Sequence, residues 1–173
     1  DFINESNYNM NDDIEIDKSN VALILYSGGT TGTPKGVMLS NENIITFIKS
    51  AIIEQNYLRR GDTILALMPI FHGFGLIHSI LFPLSIGMNV VLRDKFNINE
   101  YIKMIEDYKP QILMGVPSLF DRLVNEWEEC NINLDFLKCI LIGGDVLKQN
   151  LRKRINKFLK EHNASIKVCT GYG

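Results

Sequence analysis

Short apolar runs and helical patterns take turns along nearly the whole of this chain, and that alternation leaves few folds open. Residues 21–26, 63–68, 89–92, 111–114, 137–142 and 166–170 read as strands, the first of them buried, since each is a short aliphatic run bounded by turn residues. Helical patterns fall between them. Residues 42–55 offer Ile45, Ile48, Ile52 and Ile53 as an apolar face, with Ser40 or Asn41 as the cap. Residues 73–85 are apolar all round and read as a buried helix. Residues 98–108 follow Asn97, with Glu100 placed for a capping box. A helix from Pro117 or Ser118 to about Glu128 and another over 148–162 complete the series. Parallel strands need a crossover and helices supply it, so the expected fold is an α/β layered domain with a largely parallel sheet flanked by helices.

In open sheets of this class ligands bind beyond the carboxyl ends of the strands. The residues just after each strand are therefore the candidates for function: 27–36, 69–75, 115–117, 143–145 and 171–173.

The first of these is the richest, Tyr-Ser-Gly-Gly-Thr-Thr-Gly-Thr-Pro-Lys-Gly over residues 26–36. Gly28, Gly29, Gly32 and Gly36 let backbone N–H groups approach an anion with no Cβ in the way. Ser27, Thr30, Thr31 and Thr33 add hydroxyls, and Lys35 adds a compact positive charge with three donors. Together they suit the oxygens of a polyphosphate. A Walker loop would need Gly-Lys-Ser/Thr running straight into a helix. Here Pro34 separates Thr33 from Lys35, and Gly36 is followed by the strand-like Val37-Met38-Leu39. The loop thus joins two strands, with a helix only afterwards. A plain hairpin turn would need neither the lysine nor so many hydroxyls.

The run Met68-Pro69-Ile70-Phe71-His72-Gly73-Phe74-Gly75 puts a histidine among aromatics and hinge glycines. His72 and His78 are six apart, the wrong interval for two ligands on one helical face, so no metal site is expected. On these residues alone, His72 is either a core histidine with one satisfied hydrogen bond or a functional one. Gly143-Gly144-Asp145 follows a strand and opens a helix, which by itself says little, because such turns often want glycine. Gly171-Tyr172-Gly173 follows another strand.

Taken in order, these motifs resemble the AMP-forming adenylating superfamily, which includes acyl-CoA synthetases, luciferases and peptide-synthetase adenylation domains. The resemblance runs from about Asp17 to Gly173 and carries several expectations. The loop over 26–36 would hold the β and γ phosphates of ATP, with Lys35 stabilising developing charge; Gly28 stands where serine is commonest, so one hydroxyl contact is missing. His72 would lie near the carboxylate being activated, Phe74, Val116 and Gly143 would line the acid pocket, and Gly144, Asp145, Gly171, Tyr172 and Gly173 would serve the nucleotide, Tyr172 by stacking on adenine. The Phe-His-Gly-Phe-Gly form, with the apolar helix after it, favours a fatty or similar apolar acid. The resemblance implies magnesium, held by a glutamate expected beyond Gly173, and coenzyme A as the acyl acceptor. It divides the chain into an acidic linker over 1–17 and part of a large AMP-binding domain over 18–173. Residues 1–173 alone are expected to lack turnover. An adenylation domain loading an amino or aryl acid onto a carrier protein, or a nucleotide-binding module without turnover, are the alternatives.

Composition bounds the rest. With 173 residues, 46% hydrophobic and 22% charged, the chain has enough apolar material for one substantial core. A net charge of −2 argues against nucleic acid as a partner. The basic residues Lys148, Arg152, Lys153, Arg154, Lys157 and Lys160 read as a solvated helix face. Cys130, Cys139 and Cys169 are odd in number and scattered, which suits reduced thiols in a cytoplasmic protein. No apolar run reaches membrane-spanning length, and the acidic start does not read as a secretory leader.

Overall fold

A computed structural model of the chain describes residues 17–27, 32–93, 97–127, 132–166 and 168–171. Among the described residues the strands form two sheets. β1 (Val21–Tyr26) and β2 (Gly36–Ser40) make an antiparallel hairpin, while β3 (Thr63–Ala66), β4 (Asn89–Leu92), β5 (Ile112–Gly115), β6 (Cys139–Ile142) and β7 (Val168–Thr170) make a parallel sheet in the order β4-β3-β5-β6-β7. The helices are α1 (Asn41–Glu54), a π-helical segment Phe74–Leu81 running into α2 (Phe82–Ser85), α3 (Ile98–Tyr108), α4 (Pro117–Trp127) and α5 (Gln149–Glu161). The expected α/β architecture is the observed one.

Alternate strand residues feed two cores. Leu65, Leu113, Ile140 and Ile142 face α3, α4 and α5, where Tyr101, Phe120, Trp127 and Phe158 are buried. Ile64, Ile112, Met114 and Cys139 face the other way, toward Ala51 of α1 and Phe82 of α2. Both faces of the sheet are covered, which is why its strands are near-continuous aliphatic runs rather than alternating ones.

Three local expectations change. β1 is not buried: Val21, Ile24 and Tyr26 are half or more exposed, because the hairpin lies off the main sheet and pairs only with β2 among the described residues. The buried face of α1 is not the one expected. Ile45, Ile52 and Ile53 are exposed, and Ala51 is buried with Phe47 and Ile48 packed beside it. The four isoleucines are spread too widely around the helix to share one 100° stripe. At the start of α3 the Asn97 side chain accepts from the N–H of Asn99 rather than from that of Glu100.

Other local signals hold. Ser40 caps α1 in a full capping box with Asn43, an arrangement that contributes about 1 kcal/mol. The apolar stretch after Gly73 is helical, but wound as a π-helix: the N–H of Phe82 donates to the carbonyl of Ile77, five residues back. Pro83 has no N–H to return to the ladder, and it stands where the winding changes.

The strand order decides where a ligand belongs. From β3 the chain moves to β4 on one side and then crosses to β5, β6 and β7 on the other. The crevice beyond β3 and β5 is therefore the topological switch point, and the segments after those strands flank it.

Candidate active site

Residues 68–75 leave β3 through a loop closed by its own backbone. The N–H of His72 donates to the carbonyl of Pro69 at 3.1 Å, turning the chain back over the strand end. A Cβ on Gly75 would lie 2.1 Å from that same Pro69 oxygen, so only glycine allows the helix to start there. The N–H of Phe74 then donates to Nδ1 of His72 at 3.1 Å. With Nδ1 accepting, Nε2 carries the proton of a neutral ring and is the atom left to donate to an anion.

Phe74 packs onto the turn after β6. A Cβ on Gly143 would lie 3.1 Å from Cζ of Phe74 and 3.3 Å from the carbonyl oxygen of Gly171, so the absence of a side chain lets three segments close together. Gly144 follows with φ of 78°, and a Cβ there would meet Val116 at 3.2 Å. Backbone bonds from Gly143 to the Gly115 carbonyl and from Gly171 to the Ile142 carbonyl tie the strand ends into one rim. His72, Phe74, Gly144 and Gly171 line a single cavity of about 740 Å³ between the sheet and α1. Gly143 and Val116 stand behind that wall, and Asp145 points elsewhere: it is exposed, and its carboxylate accepts from its own neighbour's N–H, that of Val146.

The β1–β2 hairpin, which carries the stem residues Ser27 and Lys35, approaches this cavity. The N–H of Ser27 donates to the carbonyl of Lys35 at 2.9 Å, and a weaker contact joins the Lys35 N–H to Ser27 Oγ at 3.4 Å, so the loop is pinched shut at its stem. Leu25, just before the stem, lies against Gly73, where a Cβ would stand 3.3 Å from its Cδ1. That contact brings the hairpin to the His72 segment. Gly32, Thr33 and Lys35 are exposed and do not line the cavity. Gly28, Gly29, Thr30, Thr31, Tyr172 and Gly173 lie outside the described residues, as does Cys130.

Several cavity residues carried no sequence signal of function. Gln55, at the end of α1, and Tyr57 close one side. His78 enters from the π-helix, its ring 4.8 Å from that of Phe47 in a T-shaped contact and 5.3 Å from that of Phe74. Burial holds the His78 imidazole below its ordinary pKa. On the floor, burial pushes the Cys139 thiol up to about 11 and the Tyr57 phenol higher still, so both act as neutral groups. One signal for His78 was present: it is four residues after Phe74, close to one turn of a widened helix. Among the described residues no three His, Cys, Asp or Glu gather into a metal site, and no helix is long and apolar enough to cross a membrane.

The family model described as AMP-binding enzyme matches residues 2–173. A long-chain-fatty-acid–CoA ligase of Bacillus subtilis is 29% identical over 154 residues, covering 88% of this chain and 27% of that protein. The 4-coumarate–CoA ligase 1 of Arabidopsis thaliana is 30% identical over 165 residues, 94% of this chain and 29% of its own length. The structure of O-succinylbenzoate coenzyme A synthetase from Bacillus subtilis, in complex with ATP and magnesium ion, matches with a TM-score of 0.76 at 26% identity, covering 91% of this chain and 31% of that one. The chain thus spans under a third of the length of each of these relatives.

Proposed function

Since the chain belongs to the family of AMP-binding enzymes, we propose that it forms the nucleotide- and acid-binding part of an AMP-forming ligase that activates a fatty or aryl carboxylic acid and passes it to coenzyme A. One observation carries this reading: His72, Phe74, Gly144 and Gly171, from the carboxyl ends of β3, β6 and β7, converge on one cavity, with the hairpin held against them through Leu25 and Gly73.

In the proposed reaction a carboxylate oxygen of the acid bonds to the α-phosphorus of ATP, the bond from that phosphorus to the bridging oxygen breaks, and pyrophosphate leaves. The acyl group then moves to the thiol of coenzyme A, and AMP leaves. Lys35, exposed at the loop stem, neutralises charge that builds on the departing phosphates, as preorganised donors do in other phosphoryl and acyl transfers. Nε2–H of His72 orients the acid's carboxylate. Glycine at 143 and 144 lets this turn pack closely on Phe74, Gly171 and Val116, which shapes the wall against which the adenylate lies. Magnesium accompanying ATP is assigned to residues other than those described, which offer no cluster for it. Residues 18–173 are taken as part of the large AMP-binding domain, residues 1–17 as a linker, and the protein as cytoplasmic.

Pyrophosphate exchange by the full-length protein carrying this sequence, over a panel of fatty, aryl and amino acids, tests the proposal. Exchange with fatty or aryl acids, followed by acyl-CoA formation, is expected. Exchange with amino acids alone would turn the reading to carrier-protein loading, and exchange with none would overturn it.

A further inference from the structure

Two of the basic residues that read as a solvated face of α5 turn instead to neighbouring elements. Arg154 pairs with Asp121 of α4 at 2.6 Å, and Arg152 reaches β7. β7 is the edge strand of the parallel sheet, bonded only to β6 among the described residues. The N–H of Gly171, just past its end, faces β6 and donates to the Ile142 carbonyl at 3.0 Å. Successive residues of a strand turn their main-chain groups to opposite edges, so Val168 and Thr170 turn theirs away from β6.

Side chains of α5 occupy that outer edge. Nη1 of Arg152 donates to the Val168 carbonyl at 3.2 Å and Nη2 to the Thr170 hydroxyl at 3.3 Å, while the Val168 N–H donates to Oδ1 of Asn156 at 3.3 Å. Residues 152 and 156 are one helical turn apart and so share a face. The helix itself is anchored in the core by Ile155, Phe158 and Leu159. Val168 is buried, so without these partners its N–H and carbonyl would stand unpaired at the sheet edge. The rigid guanidinium fork carries the hold on to Thr170. Thr170 and Gly171 line the cavity, and the Gly171 carbonyl stands against the turn after β6, where a Cβ on Gly143 would lie 3.3 Å away. The strand that ends at the cavity wall is thus gripped by β6 on one edge and by α5 on the other.

We propose that Arg152 and Asn156 are positioning residues, which fix β7 between α5 and β6 so that Thr170 and Gly171 present a set wall to the nucleotide. They act through β7 and touch no ligand themselves. This rests on the ligase reading above, with the end of β7 serving the nucleotide, and adds the residues that hold it there. His72 and Phe74 leave a different strand and are held by bonds within their own loop, so loosening β7 falls on the nucleotide more than on the acid.

The test uses the full-length protein. Arg152→Met keeps the aliphatic stem and removes the donors, Arg152→Lys restores one, and Asn156→Ala removes the acceptor. In pyrophosphate exchange, Arg152→Met and Asn156→Ala are each expected to raise KM for ATP about fivefold or more with KM for the acid within about twofold, and Arg152→Lys to fall between. Amide hydrogen exchange of residues 168–171 should quicken in Arg152→Met and Asn156→Ala while that of β3 and β5 stays as it was. An unchanged KM for ATP, an equal rise in both KM values, or faster amide exchange spread over the whole sheet overturns the proposal, the last two being marks of a merely structural role. Pyrophosphate exchange with no acid at all would sink the ligase reading. ATP affinity measured by calorimetry on the same variants then decides the positioning role on its own: weaker binding in Arg152→Met, partly restored in Arg152→Lys, supports it, and equal affinity, or none to lose, overturns it.

Discussion

The backbone N–H of Phe74 donates to Nδ1 of His72 at 3.1 Å, so a main-chain group two residues on fixes which nitrogen of the ring faces a ligand. A histidine held this way is a donor through Nε2 and has no free nitrogen to act as a base. If Nε2–H orients the carboxylate, His72→Ala should lower kcat/KM for exchange by about 10–100-fold, the range expected for losing one preorganised donor. His72→Gln, which restores an N–H donor near that position, should recover part of the loss.

Lys35 is exposed, and among the described residues it takes part in no ion pair. Lys35→Met should therefore leave folding stability within about 0.5 kcal/mol, as surface substitutions usually do. Its effect should fall on ATP: kcat/KM for the nucleotide is expected to drop at least about tenfold. A matching loss of stability in urea unfolding would count against a phosphate role.

Gly75 has the opposite character. A Cβ there would lie 2.1 Å from the Pro69 oxygen and 2.8 Å from that of Met68, both backbone atoms that cannot swing away. Gly75→Ala should destabilise the fold by about 3 kcal/mol or more, through overpacking and distortion of the loop. Urea unfolding measures it directly, and a change under about 1 kcal/mol would mean that the loop has slack.

Stability should fall in mild acid because of His78. Its folded-state pKa lies below the ordinary 6.5, so in the window just below that value the unfolded chain binds a proton that the folded chain does not. Stability then rises with pH across the window and is lost as pH falls through it. Glu54, Tyr57, His72, Cys139 and Cys169 line the same cavity, so the comparison is with His78→Phe, which removes one group and leaves theirs. Urea midpoints of the variant should vary less between about pH 7.5 and pH 5.5 than those of the unsubstituted protein. Parallel curves would show that His78 is protonated equally in both states.

Far from the site, Lys138 Nζ contacts both carboxylate oxygens of Asp62 at 2.8 Å, and Asp62 also accepts from the Arg59 N–H at 2.7 Å. The bridge joins residues just ahead of β6 and β3. Asp62→Ala should cost about 1–2 kcal/mol in urea unfolding, since Asp62 is mostly buried while Lys138 keeps some solvent.

Much of this was legible in the residues. Strand and helix positions for β3 through β7 follow from short aliphatic runs and helical periodicity, signals that survive because both sheet faces are buried. The Ser40 cap, the loop between β1 and β2, and the loops carrying His72 and Gly144 could be located for the same local reasons. Where the local signal was shared between outcomes, it failed. The aliphatic residues of β1 would look the same whether covered or exposed, and the isoleucines of α1 outnumber the positions its buried stripe can hold.

By itself the sequence determined the element order and the layered α/β class, because propensity and periodicity act over a few neighbouring residues. Only the tertiary structure decided that β5 crosses to the far side of β3, that Leu25 seats the hairpin on Gly73, and that Gln55 and His78 line one cavity. Those relationships join residues tens of positions apart. They depend on which surfaces pack together, and no local pattern encodes that.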